Sequence, residues 1–240
     1  MRFHGAQGEE KVFEIRRSHQ RGQGQHGWLN SWHSFSFAGY MDPERMGFSV
    51  LRVINDDEVA PGAGFAAHAH RDMEIISVIL QGTIEHKDSM GHVVQLQAGD
   101  VQRMSAGTGI RHSEYNASHD EVLRLLQIWV VPDQLSIEPS YEQLTLGEND
   151  AKLRVLVSPD RRDGSLQLHQ DAVLSVVRLM GDELSQPLHT DRKYYLHMIT
   201  GEASVAGHIL TEGDALAIEN ENVLLASAKN AAEFLLFDMP

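Results

Sequence analysis

His68-Ala69-His70 and His112-Ser113-Glu114 are two tripeptides in which potential metal ligands stand two residues apart, each inside a run that reads as a β-strand. Successive side chains of a strand alternate faces, so residues i and i+2 project to the same side and each tripeptide offers two donors to one point. Two such strands can close one site. In a chain with 14 histidines either pair alone is an ordinary surface feature, but two matched same-face pairs with glycines on both sides point to a shared cation.

The sequence around these tripeptides is strand-like throughout. Short apolar or alternating runs at 48–54, 74–80, 93–96, 110–115 and 122–131 are separated by Gly, Asp, Asn and Pro, and Asp88-Ser89-Met90-Gly91 has the composition of a hairpin turn. The pattern loosens around Pro132 to Tyr141 and resumes at 153–157, 166–169, 173–179, 194–199, 203–210, 215–218, 223–226 and 234–237. Helical periodicity is scarce. Many short strands without intervening helices predict an all-β sandwich or jelly roll.

A faint repeat sets Ile79-Leu80-Gln81-Gly82 over Ile199-Thr200-Gly201, and Ala98-Gly99-Asp100 over Glu212-Gly213-Asp214. The expected organisation is therefore two domains, residues 1–132 carrying the metal site and residues 133–240 repeating the fold without it. The second half holds no His-x-His or His-x-Glu at matching places; a weaker site there would have to use His189 and His197.

Composition limits the chemistry. With 20 Lys and Arg against 34 Asp and Glu the formal net charge is −14, which repels phosphate backbones and excludes direct nucleic-acid binding as the main role. Arg16, Arg17 and Arg21 read as a solvated segment. The chain has no cysteine, so a metal must be held by nitrogen and oxygen, without thiolates. No apolar run is long enough to cross a bilayer and nothing near Met1 reads as a signal peptide, so the expected location is the cytoplasm, with no membrane partner.

Longer stretches carry a family resemblance. Gly62 through Gly82, containing His68, His70 and Glu74, resembles the first motif of cupins, and Gly99-Asp100 through Asn116 resembles the second. The segment Ser105-Ala106-Gly107-Thr108-Gly109-Ile110-Arg111-His112-Ser113-Glu114-Tyr115-Asn116 is similar to the second motif of the pirin branch. So are 28–37 and 46–57. The resemblance spans nearly the whole chain and is nearest to the bacterial pirin-like quercetin 2,3-dioxygenases. It implies a bicupin, two jelly-roll β-barrels in tandem, with a metal held in the first by His68, His70, His112 and Glu114. It also implies a structural role for Glu74, which stands where other cupins place a ligand.

Three imidazoles and one carboxylate suit a single divalent first-row ion and leave positions open on an octahedral one. The resemblance implies Fe(II), with Ni, Cu, Zn, Mn or Co able to enter the same donors. It further implies a flavonol and O₂ as substrates, with ring opening and loss of carbon monoxide. Glu114, the one acid among the four, is the expected general base. The second reading is a non-catalytic iron protein whose redox state acts through a protein partner; in either case the chain is expected to be a monomer. Trp28, Trp32, Phe35 and Phe37 are expected in the core, as are Met73 and Met104. His26, His33, His86, His92, His119, His169 and His208 are expected at the surface or in hydrogen bonds. The turn Gly107-Thr108-Gly109 is expected to bend the chain so that His112 faces inward.

Overall fold

Segments such as Glu74–Gln81 are buried along almost their whole length, because the strand is covered on one face by its own sandwich and on the other by the second half of the chain. The computed structural model describes residues 11–147 and 151–240. The first twelve strands are β1 Val12–Arg16, β2 Gly22–Gln25, β3 Leu29–His33, β4 Leu51–Val59, β5 Gly64–His70, β6 Glu74–Gln81, β7 Thr83–Asp88, β8 Val93–Gln97, β9 Asp100–Ser105, β10 Ile110–Asn116, β11 Leu123–Val130 and β12 Ser140–Thr145. The remaining ten are β13 Leu153–Ser158, β14 Leu166–Gln167, β15 Val173–Met180, β16 Glu183–Pro187, β17 Lys193–Thr200, β18 Glu202–Val205, β19 His208–Thr211, β20 Ala215–Glu219, β21 Val223–Ser227 and β22 Ala231–Met239. The fold is all-β, as expected, and the only helical pieces among the described residues are two short 3₁₀ turns.

The strands form two sandwiches of the same design. In the first, a seven-stranded sheet of order β12-β9-β6-β11-β4-β3-β2 faces a four-stranded sheet of order β5-β10-β7-β8; in the second, β1-β20-β17-β22-β15-β13-β14 faces β16-β21-β18-β19. The two orders correspond except at one edge, where β2 runs antiparallel to β3 but β14 runs parallel to β13, and this correspondence is the physical content of the faint repeat. Two edge strands are exchanged across the expected division at 132: β1 pairs with β20 of the second half, and β12 pairs with β9 of the first. Residues 1–10 and 148–150 of that division lie outside the described residues.

The seven-stranded sheets pack against each other. Their shared core takes Leu51, Ile54, Ile76 and Ile128 from one side and Leu156, Val176, Leu235 and Phe237 from the other. Burying each such side chain contributes about 1.5–3 kcal/mol. Inside the second sandwich the filling is continuously apolar, from Leu179 and Leu196 to Leu224 and Ala226. The first sandwich is apolar only towards its ends, with Leu29, Ile79, Ile84 and Leu125 in one cluster and Ile75, Met104 and Ile110 in another. Its middle is polar, and the site lies there.

Three strand expectations differ. The run 203–210 is two strands, because Ala206 and Gly207 turn the chain between them with positive φ. The run 166–169 keeps strand form only at Leu166–Gln167. The strand expected over 48–54 begins at Leu51 and continues through Asn55, Asp56 and Asp57 to Val59. Asn55, Asp56 and Asp57 stay in the strand because each finds a partner on a neighbouring strand: Asn55 with His33, Asp56 with Arg124, and Asp57 with Ser31.

Candidate metal centre

β5 and β10 lie side by side, His112 opposite His68 and Ile110 opposite His70. The register then slips so that Glu114 lies opposite Phe65. Two residues of β10 span three of β5, a bulge that re-aims the side chains beside it. Gly64 allows this approach: a Cβ there would collide with the carbonyl oxygen of Glu114 and with Tyr115 Cα. On the other side of β10, Gly107 turns with φ 46°, and the 107–109 turn leads into the strand that points His112 inward.

The ring centroids of His68, His70 and His112 stand 4.5, 4.8 and 4.9 Å apart, and one nitrogen of each lies within 4.8 Å of the others. Glu114 stands in a second trio, with His112 and His86, at the same spacing. The four expected residues thus form two overlapping groups that share His112, and His86 is a fifth neighbour.

The nitrogens are prepared as acceptors. His68 Nδ1–H donates to the carbonyl of Ala66 at 2.8 Å, leaving Nε2 with its lone pair. His70 Nε2 and both nitrogens of His112 are buried with no hydrogen-bond partner among the described residues. Burial, assisted by His112 and His68, pushes the His70 imidazole down to about 4. Burial also takes His112 to about 4, against the pull of Glu114. Neutral imidazoles with unmatched lone pairs are costly in an interior unless something electrophilic is bound there. With a carboxylate beside them and no thiolate near, they fit one divalent cation.

Glu114 is held from the facing sheet. Gln102 Nε2 donates to its Oε1 at 2.6 Å, with Ser77 Oγ at 3.5 Å, and Gln127 Nε2 donates to its Oε2 at 3.0 Å. The amides cannot turn round without loss, because Tyr141 O–H donates to Gln102 Oε1 and Trp129 Nε1–H to Gln127 Oε1. Their NH₂ groups therefore face the carboxylate. These residues form one row across the sheet, His33 opposite Asn55, Asn55 opposite Gln127, Gln127 opposite Ser77, and Ser77 opposite Gln102.

A cavity of about 280 Å³ opens beside this row. Trp28, Phe37, Phe65 and Trp129 wall it, with Trp28 edge-on to Phe65 at 5.2 Å and Phe37 edge-on to Trp129 at 5.3 Å. His68 and Glu114 reach it from the ligand side; Ser31, His33, Asn55 and Asp57 line the opposite part. Burial, with Asp56 and Glu114 nearby, raises the Asp57 carboxyl to about 7 despite the Ser31 hydrogen bond.

Other expectations divide. Phe35 and Met104 are core, but Trp28 and Phe37 line the cavity and Trp32 lies under the Arg21 guanidinium, 5.9 Å from its ring centroid. Glu74 joins neither ligand group; it is buried and accepts hydrogen bonds from Ser105 and from the His169 backbone, tying the halves together. His86 is fully buried against His112 and Tyr141 and bonded to Asp88 at 3.2 Å. His189 is exposed and His197 buried, and neither belongs to a ligand group among the described residues. At the positions of β5 and β10, the second sandwich has β16 and β21, whose inward Leu224 and Ala226 leave no donor. No short motif marks this polar wall in the sequence, although continuing the alternation of β4 past Val53 places Asn55 and Asp57 on its inner face.

Comparison with known proteins agrees with this architecture. Residues 155–239 match the family model described as the quercetinase C-terminal cupin domain. The chain is 48% identical over 227 residues to quercetin 2,3-dioxygenase of Escherichia coli (strain K12), covering 94% of this chain and 98% of that protein. It is 41% identical over 221 residues to a pirin-like protein of Caulobacter vibrioides, covering 90% and 95%. The crystal structure of a bacterial pirin from Escherichia coli in complex with nickel(II) superposes with a TM-score of 0.92 at 45% identity, over 95% of this chain and 99% of that one. Residues 14–130, which include the strands that carry the clustered histidines, match the pirin model itself, and the chain belongs to the pirin family.

Proposed function

We propose that this protein is a metal-dependent dioxygenase that opens flavonols such as quercetin with O₂, and that His68, His70, His112 and Glu114 hold its single divalent cation, Fe(II) in the working enzyme. One observation carries the reading: the unpartnered imidazoles of His70 and His112 stand against His68, which with Glu114 reaches into an aromatic-walled cavity of about 280 Å³. The similarity to the quercetin 2,3-dioxygenase of Escherichia coli supports it.

When bound, the cation would supply Lewis acidity and a redox partner for O₂. The protein's own contribution is placement and proton handling. Trp28, Phe37, Phe65 and Trp129 sandwich an aromatic ligand and exclude water. Glu114 takes the proton of the ligand's enolic hydroxyl; the amides of Gln102 and Gln127 hold the carboxylate in place for that transfer and occupy one lone pair on each oxygen.

The test is anaerobic loading with Fe(II), addition of quercetin and O₂, and measurement of flavonol absorbance beside His112→Ala and Glu114→Ala. Turnover that both substitutions abolish supports the proposal. Absence of turnover with any first-row divalent ion would overturn it.

A further inference from the structure

The cavity has a second polar side, away from the clustered ligand histidines. Ser31 and His33 on β3 lie opposite Asp57 and Asn55 on β4, and the four side chains form a ladder. Ser31 O–H donates to Asp57 Oδ1 through a short hydrogen bond. His33 Nδ1 faces Asn55 Oδ1 at 2.8 Å and Ser31 Oγ at 3.3 Å. Asn55 Oδ1, the nearer of the two, can only accept, so the proton of His33 sits on Nδ1. Nε2 then carries the lone pair, and it has no hydrogen-bond partner among the described residues.

The imidazole is neutral for a physical reason. Burial lowers its pKa, the Asn55 hydrogen bond works against that, and His26 and Arg21 add to it. Space at Nε2 is left by Gly24 on β2, where an added Cβ would stand 3.0 Å from that nitrogen. Phe37 and Tyr40 flank the ring, 5.5 and 6.3 Å away between centroids. A fixed acceptor of this kind, beside the aromatic walls of the cavity, discriminates among ligands by the hydroxyl it pairs with.

We infer that His33 is a specificity-determining residue of this cavity: its Nε2 accepts a hydrogen bond from a second hydroxyl of the bound ligand, remote from the enol, so the site selects polyhydroxylated flavonols over those whose only hydroxyl is the enolic one. This rests on the function proposed above and adds which members of the substrate class are taken.

Binding, not turnover, tests it. Protein loaded with redox-inert Zn(II) is titrated under argon with quercetin and with 3-hydroxyflavone, which lacks every hydroxyl but the enol, and affinity is read from quenching of tryptophan fluorescence. Wild type should prefer quercetin by about tenfold or more, the scale of one net hydrogen bond. His33→Leu should reduce that preference to within about twofold by weakening quercetin while leaving 3-hydroxyflavone unchanged. Gly24→Ala, which crowds Nε2 of His33 and leaves Ser31, Asn55 and Asp57 unaltered, should act in the same direction and carries the test if His33→Leu does not fold. Equal weakening of both ligands, or a preference that survives both substitutions, overturns the inference. Failure of wild type to bind either flavonol is a separate outcome, which removes the proposed function and this inference with it.

Discussion

Asp57 and Glu114 are buried carboxylates in one cavity whose surroundings treat them differently. Glu114 faces amide hydrogens on both oxygens. In Glu114→Gln one amide would have to meet another donor, and the mismatch costs about 1–3 kcal/mol. We expect that variant to retain part of the metal, measured by elemental analysis, while turnover falls by about 100-fold or more; wild-type rates in the loaded variant would remove the base assignment. Asp57 has one short bond to Ser31 and burial lifts its carboxyl to about 7, from the ordinary 3.8. Folded protein therefore holds a proton between about pH 4 and 7 that unfolded protein has released, and stability falls as pH rises through that window. Above it the penalty is complete, at most about 4 kcal/mol. Asp57→Asn should flatten this fall. Thermal melts of metal-free wild type and variant across the window read the difference directly, and parallel curves would contradict it.

At the level of elements, the site depends on β5 lying close against β10. The bulge between His112 and Glu114 and the absence of a side chain at Gly64 together set which side chains face each other. Gly64→Ala pushes β5 away from β10 at that point. The expected result is a loss of about 1–3 kcal/mol in stability, as for other overpacked sites, and metal affinity weaker by about 10–100-fold, as when the support of a ligand is lost. Competition with a chromophoric chelator measures the second quantity. Unchanged affinity would mean that the close approach at Gly64 does not set the ligand geometry. The four-stranded sheet of the second sandwich has the same strand order but points Leu224 and Ala226 inward, so the same scaffold is filled there with aliphatic groups.

Across the whole molecule, the exchanged strands β1 and β12 and the shared core bind the two halves into one unit. Ion pairs cross as well, Arg124 to Glu212 at 2.7 Å and Arg17 to Asp214 at 2.8 Å. Thermal unfolding should therefore be a single transition with coincident fluorescence and circular-dichroism curves. His197 lies in this region, fully buried, with neither ring nitrogen bonded among the described residues. Burial takes its pKa to about 4, with Arg21 lowering it, Asp56 raising it, and Arg124 and Asp214 opposing each other. An unfolded histidine binds its proton near 6.5, so the contribution of His197 is present above that pH and is lost as pH falls towards 4. A substitution with Leu at this position should make the protein resist acid better by up to about 3 kcal/mol, seen as a lower midpoint in acid unfolding; a midpoint unmoved by His197→Leu would show that acid acts elsewhere.

Much was legible in the chain itself. Alternation and turn residues carried the all-β class, the spacing of His68, His70, His112 and Glu114 carried the candidate ligands, and matching glycines in the two halves carried the repeat, because each of these is a local pattern of period two or a short motif. What the tertiary structure alone decided is non-local. Register between strands far apart in sequence made a wall of Ser31, His33, Asn55 and Asp57, put His86 against His112, set Gln102 and Gln127 on Glu114, and sent β1 and β12 to each other's sandwich. A strand's sequence states which residues share a face; which neighbour that face meets, and whether a polar side chain on it finds a partner there, depends on how all the strands are ordered in the sheet.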